Sequence, residues 1–508
     1  MSLPAVVPAP ASIQAGSGAS FHVTAETSIQ GDADASASLA ALITARTGQA
    51  PGTTDSTASD PSPTSISLRI AEGGPAESYR LTADEASVVV TGADPAGLFY
   101  GVQTVGQLIA SGKDGWTIPA VTIEDAPRFR YRGVMLDVAR HFHPVETVKA
   151  YVDRAAGLKF NALHLHLTDD QGWRLQLTSR PKLTELASGS AVGGDAGGFY
   201  TAADFREIVE YAASRHMIVV PEFDLPSHTH AVGLAYPELA EDPVLSEEIT
   251  AAAREAGEDL PVAGTPYEGI AVGFSSLKVR EETTYDFVAD VFGELAALTP
   301  GPYLHLGGDE AHGTDPADYA EFVSRASEIV EDLGKIPIAW HEAGSAHGLA
   351  DGTIGQYWGF LRPTDGMDDK ALAFVANGAQ LILSPADAIY LDMKPTADFP
   401  LGLTWANGPT SVERSYSWEP SSIVAGVKES DILGVEAPLW TETVRTLADI
   451  DALAFPRIAS AAEAGWSPAS GDLRTWKSFR TRVGALGPLW ASLGIGFDPS
   501  DEIPWATE

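Results

Sequence analysis

Short apolar runs alternate with amphipathic stretches from about residue 130 onward. The apolar runs are GVMLDV (133–138), ALHLHL (162–167), MIVVPEF (217–223), YLHL (303–306), IPIAW (336–340), TIGQYW (353–358), QLILS (380–384) and ILGVEAPL (432–439). Runs of this length bounded by turn residues predict buried strands. Between them, apolar residues recur at helical spacing over Val145–Lys159, Ala202–Arg215, Glu281–Leu298, Asp315–Leu333, Asp368–Asn377 and 447–466. Strands alternating with helices in this number predict a (β/α)8 TIM barrel. Two joins are irregular. Between Trp340 and Thr353 there is hardly room for a helix, and 385–431 is a long connection rich in aromatics and prolines. A loop that long inside a compact domain is usually functional.

The first 126 residues carry a different pattern. SISLRIA (65–71), SYRLTA (78–83) and SVVVTG (87–92) predict strands, and Asp34–Thr47 and Pro95–Ser111 predict alanine-rich helices. Residues 48–65 form a Gly/Ser/Thr/Pro loop without apolar periodicity. The expected division is a small α+β domain over 1–126, without a catalytic cluster, preceding a catalytic barrel over 127–508 that ends in a helical extension.

Composition narrows the function. Lys+Arg number 32 against 69 Asp+Glu, a formal charge of −37, which repels phosphate backbones and argues against nucleic acid as a partner. There is no cysteine, hence no disulfide and no thiolate metal site. No apolar run approaches the ~20 residues of a membrane helix. The opening MSLPAVVPAPASIQAG has neither a basic nor an apolar signal region. That predicts a cytoplasmic protein, or a secreted one whose signal has been removed.

Candidate chemistry gathers at the carboxyl ends of the predicted strands, where barrel active sites lie. In PYLHLGGDE (302–310) a strand stops at Gly307-Gly308 and is followed at once by Asp309 and Glu310. Two adjacent acids repel, so one should hold its proton more firmly, suiting a proton donor beside a fixed anion. Other strand ends offer Arg140, Asp169, Asp170, Glu222, Asp224, His228, Trp340, Glu342, Trp358, Glu436, Trp440 and Glu442, and the long loop adds Tyr390, Asp392, Trp405 and Trp418. Tryptophans around an acid pair suit a sugar, whose apolar face stacks on indole while charged groups take its hydroxyls. A second reading makes His164 and His166, an H-x-H pair on one strand face, the start of a barrel metallohydrolase site with His228 and His230. A third is a sugar-binding barrel without activity.

RGVMLDVARHF, HLHLTDDQGWR, VVPEFDLPSHTHA, HLGGDE and VEAPLWTE together resemble glycoside hydrolase family 20, the β-N-acetylhexosaminidases. YRLTADEASVVVTGADPAGLFYGVQTVGQL resembles the small α+β domain that precedes the barrel in that family. The resemblance implies an exo-acting, retaining enzyme that needs no cofactor and no metal and removes terminal N-acetylglucosamine or N-acetylgalactosamine from N-acetylated glycans or chitooligosaccharides. The family lacks a protein nucleophile; the substrate's own 2-acetamido oxygen attacks the anomeric carbon through an oxazolinium intermediate. By resemblance Glu310 is the general acid and base, Asp309 orients the acetamido group, and Tyr390 binds its carbonyl. Trp340, Trp358 and Trp440 enclose the acetamido methyl and the ring, with Trp405 a further wall. Arg140, Asp392 and Glu442 hold sugar hydroxyls. Asp169 and His228 support the general acid, although Asp170 adjoins Asp169 and either could face inward. LPSHTH also places Ser227 where the family commonly has glycine.

Overall fold

The computed structural model describes residues 3–54, 64–71, 73–113 and 115–506. Eight parallel strands close into a barrel: Tyr131–Asp137, Ala162–His166, Ile218–Glu222, Tyr303–His305, Ile336–Trp340, Ile354–Tyr357, Leu381–Leu383 and Ile432–Ala437. All eight apolar runs supply one strand each. The strands are buried throughout or nearly so because helices cover the outside and side chains fill the inside. Closure runs through Leu439, whose N–H donates to Met135 O at 3.1 Å and whose carbonyl accepts from Asp137 N at 3.1 Å.

The connecting helices follow the expected spans closely. Asp315 caps Pro316–Asp332 through its side chain, with proline at the first turn where no N–H is needed. Two details differ. The expected helix over 447–466 is two helices, Leu447–Ala454 and Ile458–Trp466, because Pro456 has no N–H to continue the ladder and its ring crowds the preceding turn. The short join after the fifth strand is a 3₁₀ segment, His341–Ser345. The long connection holds only the short helices Ala386–Ile389 and Val412–Tyr416 as α-structure.

The N-terminal residues build a mixed sheet in the order Ser12–Ala15, Val121–Asp125, Tyr79–Ala83, Ser87–Gly92, Ser65–Ile70, Ser28–Gly31 and Gly52–Thr54. Helices Ala33–Thr47 and Pro95–Leu108 pack with it. Gly52–Thr54 lies inside the stretch expected to be loop; residues 55–63 of that stretch fall outside the described residues. By contacts the chain forms two units. One comprises Met1–Arg132, Arg154–Phe160 and Phe455–Glu508, the other Gly133–Asp153 and Asn161–Ala454. Residues 455–508, drawn with the barrel from sequence, thus group with the N-terminal sheet, where Arg482 bonds the buried Glu463 at 2.7 and 2.8 Å.

Candidate active site

The acid pair is set by backbone. Gly307 and Gly308 have φ of +71° and +100°, and Glu310 follows at +50°, a left-handed region that L side chains avoid. At Gly307 a Cβ would stand 1.8 Å from Asp224 Oδ1, so the tight turn requires glycine there. Every carbonyl of the loop is held from a different direction. Gly307 O accepts from Trp340 N at 3.0 Å and Glu310 O from His312 N at 2.6 Å. Gly308 O accepts from the Tyr319 hydroxyl at 2.6 Å, and Asp309 O from the Ser227 hydroxyl. The serine thus ties the His228 turn, itself at φ +57°, to the acid loop.

Behind the acids runs a chain of buried charges. Arg140 Nη1 lies 2.7 Å from Asp169 Oδ2, and His228 Nδ1 lies 3.2 Å from Asp169 Oδ1. The other face of His228, Nε2, stands 3.4 Å from Glu310 Oε2 and 3.7 Å from Asp309 Oδ2. Burial alone would raise Asp169, but Arg140 and His228 outweigh it and hold the carboxyl well below its usual range. Burial would lower His228, yet Asp169, Asp224 and Asp309 keep it charged far above the ordinary imidazole value. Asp169 is therefore the inward aspartate. Asp170 turns away, accepting from His230 N at 2.9 Å and the Ser275 hydroxyl at 2.6 Å.

Asp309 itself is pushed up by burial and by Glu310, against the pull of His228. Its neighbour Asp224 rises further, driven by burial and by Asp309. Asp224 and Asp309 are hydrogen-bonded neighbours, and both carboxyls are held above the ordinary carboxylate range, with burial the larger cause for each. Within the adjacent acid pair the carboxyl pushed up is Asp309, and the effect extends to Asp224 behind it. Asp224 stood among the strand-end acids but had no assigned role; its place just past the third strand was the signal.

The aromatic walls join the same site. Trp340, Trp440, Tyr390 and Met393 share one buried cluster, against which Trp358 packs. The Trp340 and Trp440 rings are 6.1 Å apart, and Tyr390 lies 6.3 Å from Trp440 and 5.8 Å from Trp405. Trp405, 47% exposed, meets Trp358 edge-on at 6.0 Å. Arg140 sits 4.9 Å from the Trp440 ring, and Trp440 N donates to Asp392 Oδ1 at 3.4 Å. Glu442 is pushed up to about 7 by burial, against the pull of Arg140. All the residues assigned to the site by resemblance thus lie in one connected region. Trp418 does not; it is buried with its indole bonded to Ser415 O.

The H-x-H histidines have other work. His164 bridges Glu436 at 2.8 Å and Glu222 at 3.1 Å, and His166 bridges Glu222 at 2.5 Å and Asp169 at 2.8 Å. Against the lowering effect of burial, these carboxylates raise His164 to about 10 and His166 to about 9. His164, Glu222 and His305 are close enough to hold an ion, but both ring nitrogens of His164 are occupied by its bonds to Glu436 and Glu222. Glu222 also accepts the Trp340 indole N–H at 2.9 Å.

Comparison with known proteins decides the family. Residues 129–469 match the glycosyl hydrolase family 20 catalytic domain and residues 3–126 match domain 2 of that family. The chain belongs to glycosyl hydrolase family 20. Among its relatives, a β-N-acetylhexosaminidase of Cellulomonas fimi is 41% identical over 448 residues, covering 87% of this chain and 85% of its own. A solved family 20 β-N-acetylglucosaminidase superposes with a TM-score of 0.90 at 67% identity, covering 99% of this chain and 100% of that one. The Streptomyces plicatus N-acetyl-β-hexosaminidase, solved with thio-NAglucal, gives 0.88 at 45% identity, covering 99% and 97%.

Proposed function

We propose that this family 20 glycoside hydrolase is an exo-acting β-N-acetylhexosaminidase, working with retention through attack by the substrate's own acetamido oxygen on N-acetylated amino-sugar glycans. The observation that carries the reading is the placement of Asp309. Its carboxyl stands beside the general-acid candidate Glu310, with His228 Nε2 3.7 Å away and Asp224 hydrogen-bonded to it from behind. A carboxylate there meets the acetamido nitrogen as positive charge develops on it, which stabilises the oxazolinium stage more than the bound substrate. Glu310 would protonate the leaving oxygen and then deprotonate the incoming water. Tyr390 would donate to the acetamido carbonyl oxygen. Trp340, Trp358 and Trp440 would enclose the N-acyl group and ring, Trp405 closing the open side. Arg140, Asp392 and Glu442 would take the hydroxyls.

The test is a cyclic thiazoline mimic of the intermediate. It should bind the parent enzyme far more tightly than N-acetylglucosamine. Asp309→Asn should lose most of that preference, and about 10²-fold in kcat, with a smaller change for the plain sugar. Unchanged thiazoline affinity in the variant would refute the acetamido-assisted reading.

A further inference from the structure

Two of the indoles in the site are pinned by carboxylates, in different surroundings. Trp340 is 1% exposed and bonded to Glu222 among the barrel histidines. Trp358 lies at the rim, partly buried, following the sixth strand. Its indole Nε1 donates to Glu342 Oε2 at 3.0 Å. His341 supports the same wall, with its ring 5.3 Å from Trp358. Trp358 also packs against the cluster of Trp340, Tyr390 and Trp440 and meets the half-exposed Trp405 edge-on at 6.0 Å. Glu342 has a firm seat, because its 3₁₀ segment presses on the helix Met367–Ala376: a Cβ at Gly344 would stand 2.0 Å from Lys370 O.

We propose that Glu342 is a positioning residue that sets the width of the N-acyl pocket by fixing the Trp358 indole through this bond. The inference rests on the reading of Trp358 as an N-acyl wall. Burial and the charge of Asp309 push Glu342 up to about 8, so near neutrality it is a neutral acid that still offers a carbonyl oxygen to the indole. Glutamine has that shape and acceptor; alanine does not. A partly buried indole N–H deprived of its acceptor seeks another or turns toward water, and the wall moves with it. A well-formed apolar pocket discriminates a single methylene by about 10- to 200-fold, so a displaced wall shows as lost discrimination between N-acyl groups.

The experiment compares kcat/KM for a chromogenic N-acetylglucosaminide and its N-propionyl analogue. Glu342→Ala should compress the preference for N-acetyl by about tenfold, while Glu342→Gln should keep it within about threefold. Trp358→Phe retains an aromatic wall without the N–H. It should resemble Glu342→Ala, and adding Glu342→Ala to it should cost no further selectivity. If Glu342→Ala does not fold, Glu342→Leu and Trp358→Phe carry the same comparison. Unaltered preference in the Glu342 variants, with collapsed preference in Trp358→Ala, would overturn the inference and leave the wall reading standing. Unaltered preference in Trp358→Ala would overturn both. Equal loss in the Gln and Ala variants would assign the effect to charge and overturn the anchoring role.

Discussion

Each unit buries a cluster of ionisable groups, and the two clusters are built on opposite terms. In the N-terminal unit, Lys159 and Asp125 pair at 2.9 Å, both fully buried. Asp125 Oδ2 also takes the Tyr79 hydroxyl at 2.7 Å, and Oδ1 takes Ala11 N, the Trp466 indole and Ala126 N. One charge is matched by one opposite charge, and the acceptors are filled. The barrel cluster is not matched. Arg140, His164, His166 and His228 face Asp137, Asp169, Glu222, Asp309, Glu310, Glu436 and Glu442, and burial and Asp309 push Asp224 up as well. Burial and mutual repulsion raise Asp309, Glu342 and Glu442 together. A balanced cluster serves only the fold. A surplus of carboxylates costs folding energy and suits a substrate that becomes cationic during the reaction.

Neutralising charge in the two places should therefore have opposite signs. The largest effect is expected at Glu310. Glu310→Gln should lower kcat by up to about 10⁴-fold for a sugar leaving group, and far less for a leaving group that needs no proton. Its unfolding midpoint should not fall. A loss equal across leaving groups would remove Glu310 from the acid role. Next comes Lys159→Met, which strands Asp125. Removing one member of a buried pair costs about 3–5 kcal/mol, read as a drop in the urea midpoint, while kcat/KM of the folded protein stays at the parent value. An undiminished midpoint would mean that the N-terminal cluster is not the balanced one.

The smallest effect depends on pH. The folded value of Glu442, about 7, lies above its ordinary 4.5, so folding favours its protonated form. That contribution is complete below about pH 4 and lost as pH rises through 7. Glu442→Gln should match the parent's thermal midpoint near pH 4 and exceed it at pH 8, with a raised KM. A variant less stable than the parent at pH 8 would show that Glu442 is compensated like Asp125.

The barrel was legible because each of its strands is a continuous apolar run with punctuated ends. The N-terminal sheet was less so. Its edge strand Gly52–Thr54 has three residues, too short for alternation to show. The helix Trp476–Ser492 contains Pro488 and scattered charges, which mask its period. In the site, adjacency hid the choice between Asp169 and Asp170. Neighbouring strand residues point to opposite faces, and the partners that mark Asp169 as the inward one, Arg140 and His228, lie 29 and 59 residues away in the chain. Asp224 and Glu342 were visible as strand-end acids, but their roles depend on which groups crowd them in space.

The acid loop also separates two kinds of information that a sequence motif merges. Gly307 is obligatory for a steric reason, since Asp224 lies beneath it at 1.8 Å from where a Cβ would be. A barrel descended from this one that had stopped hydrolysing anything would still need that glycine to keep its loop closed. Asp309 and Glu310 face no such steric requirement, and the Asp309 carboxyl, buried beside Glu310, burdens the fold rather than supporting it. Once selection for catalysis ended, their charges would be the first to drift. In a genome-derived relative, the glycine pair therefore dates the architecture, while the intact acids certify that the chemistry is still in use.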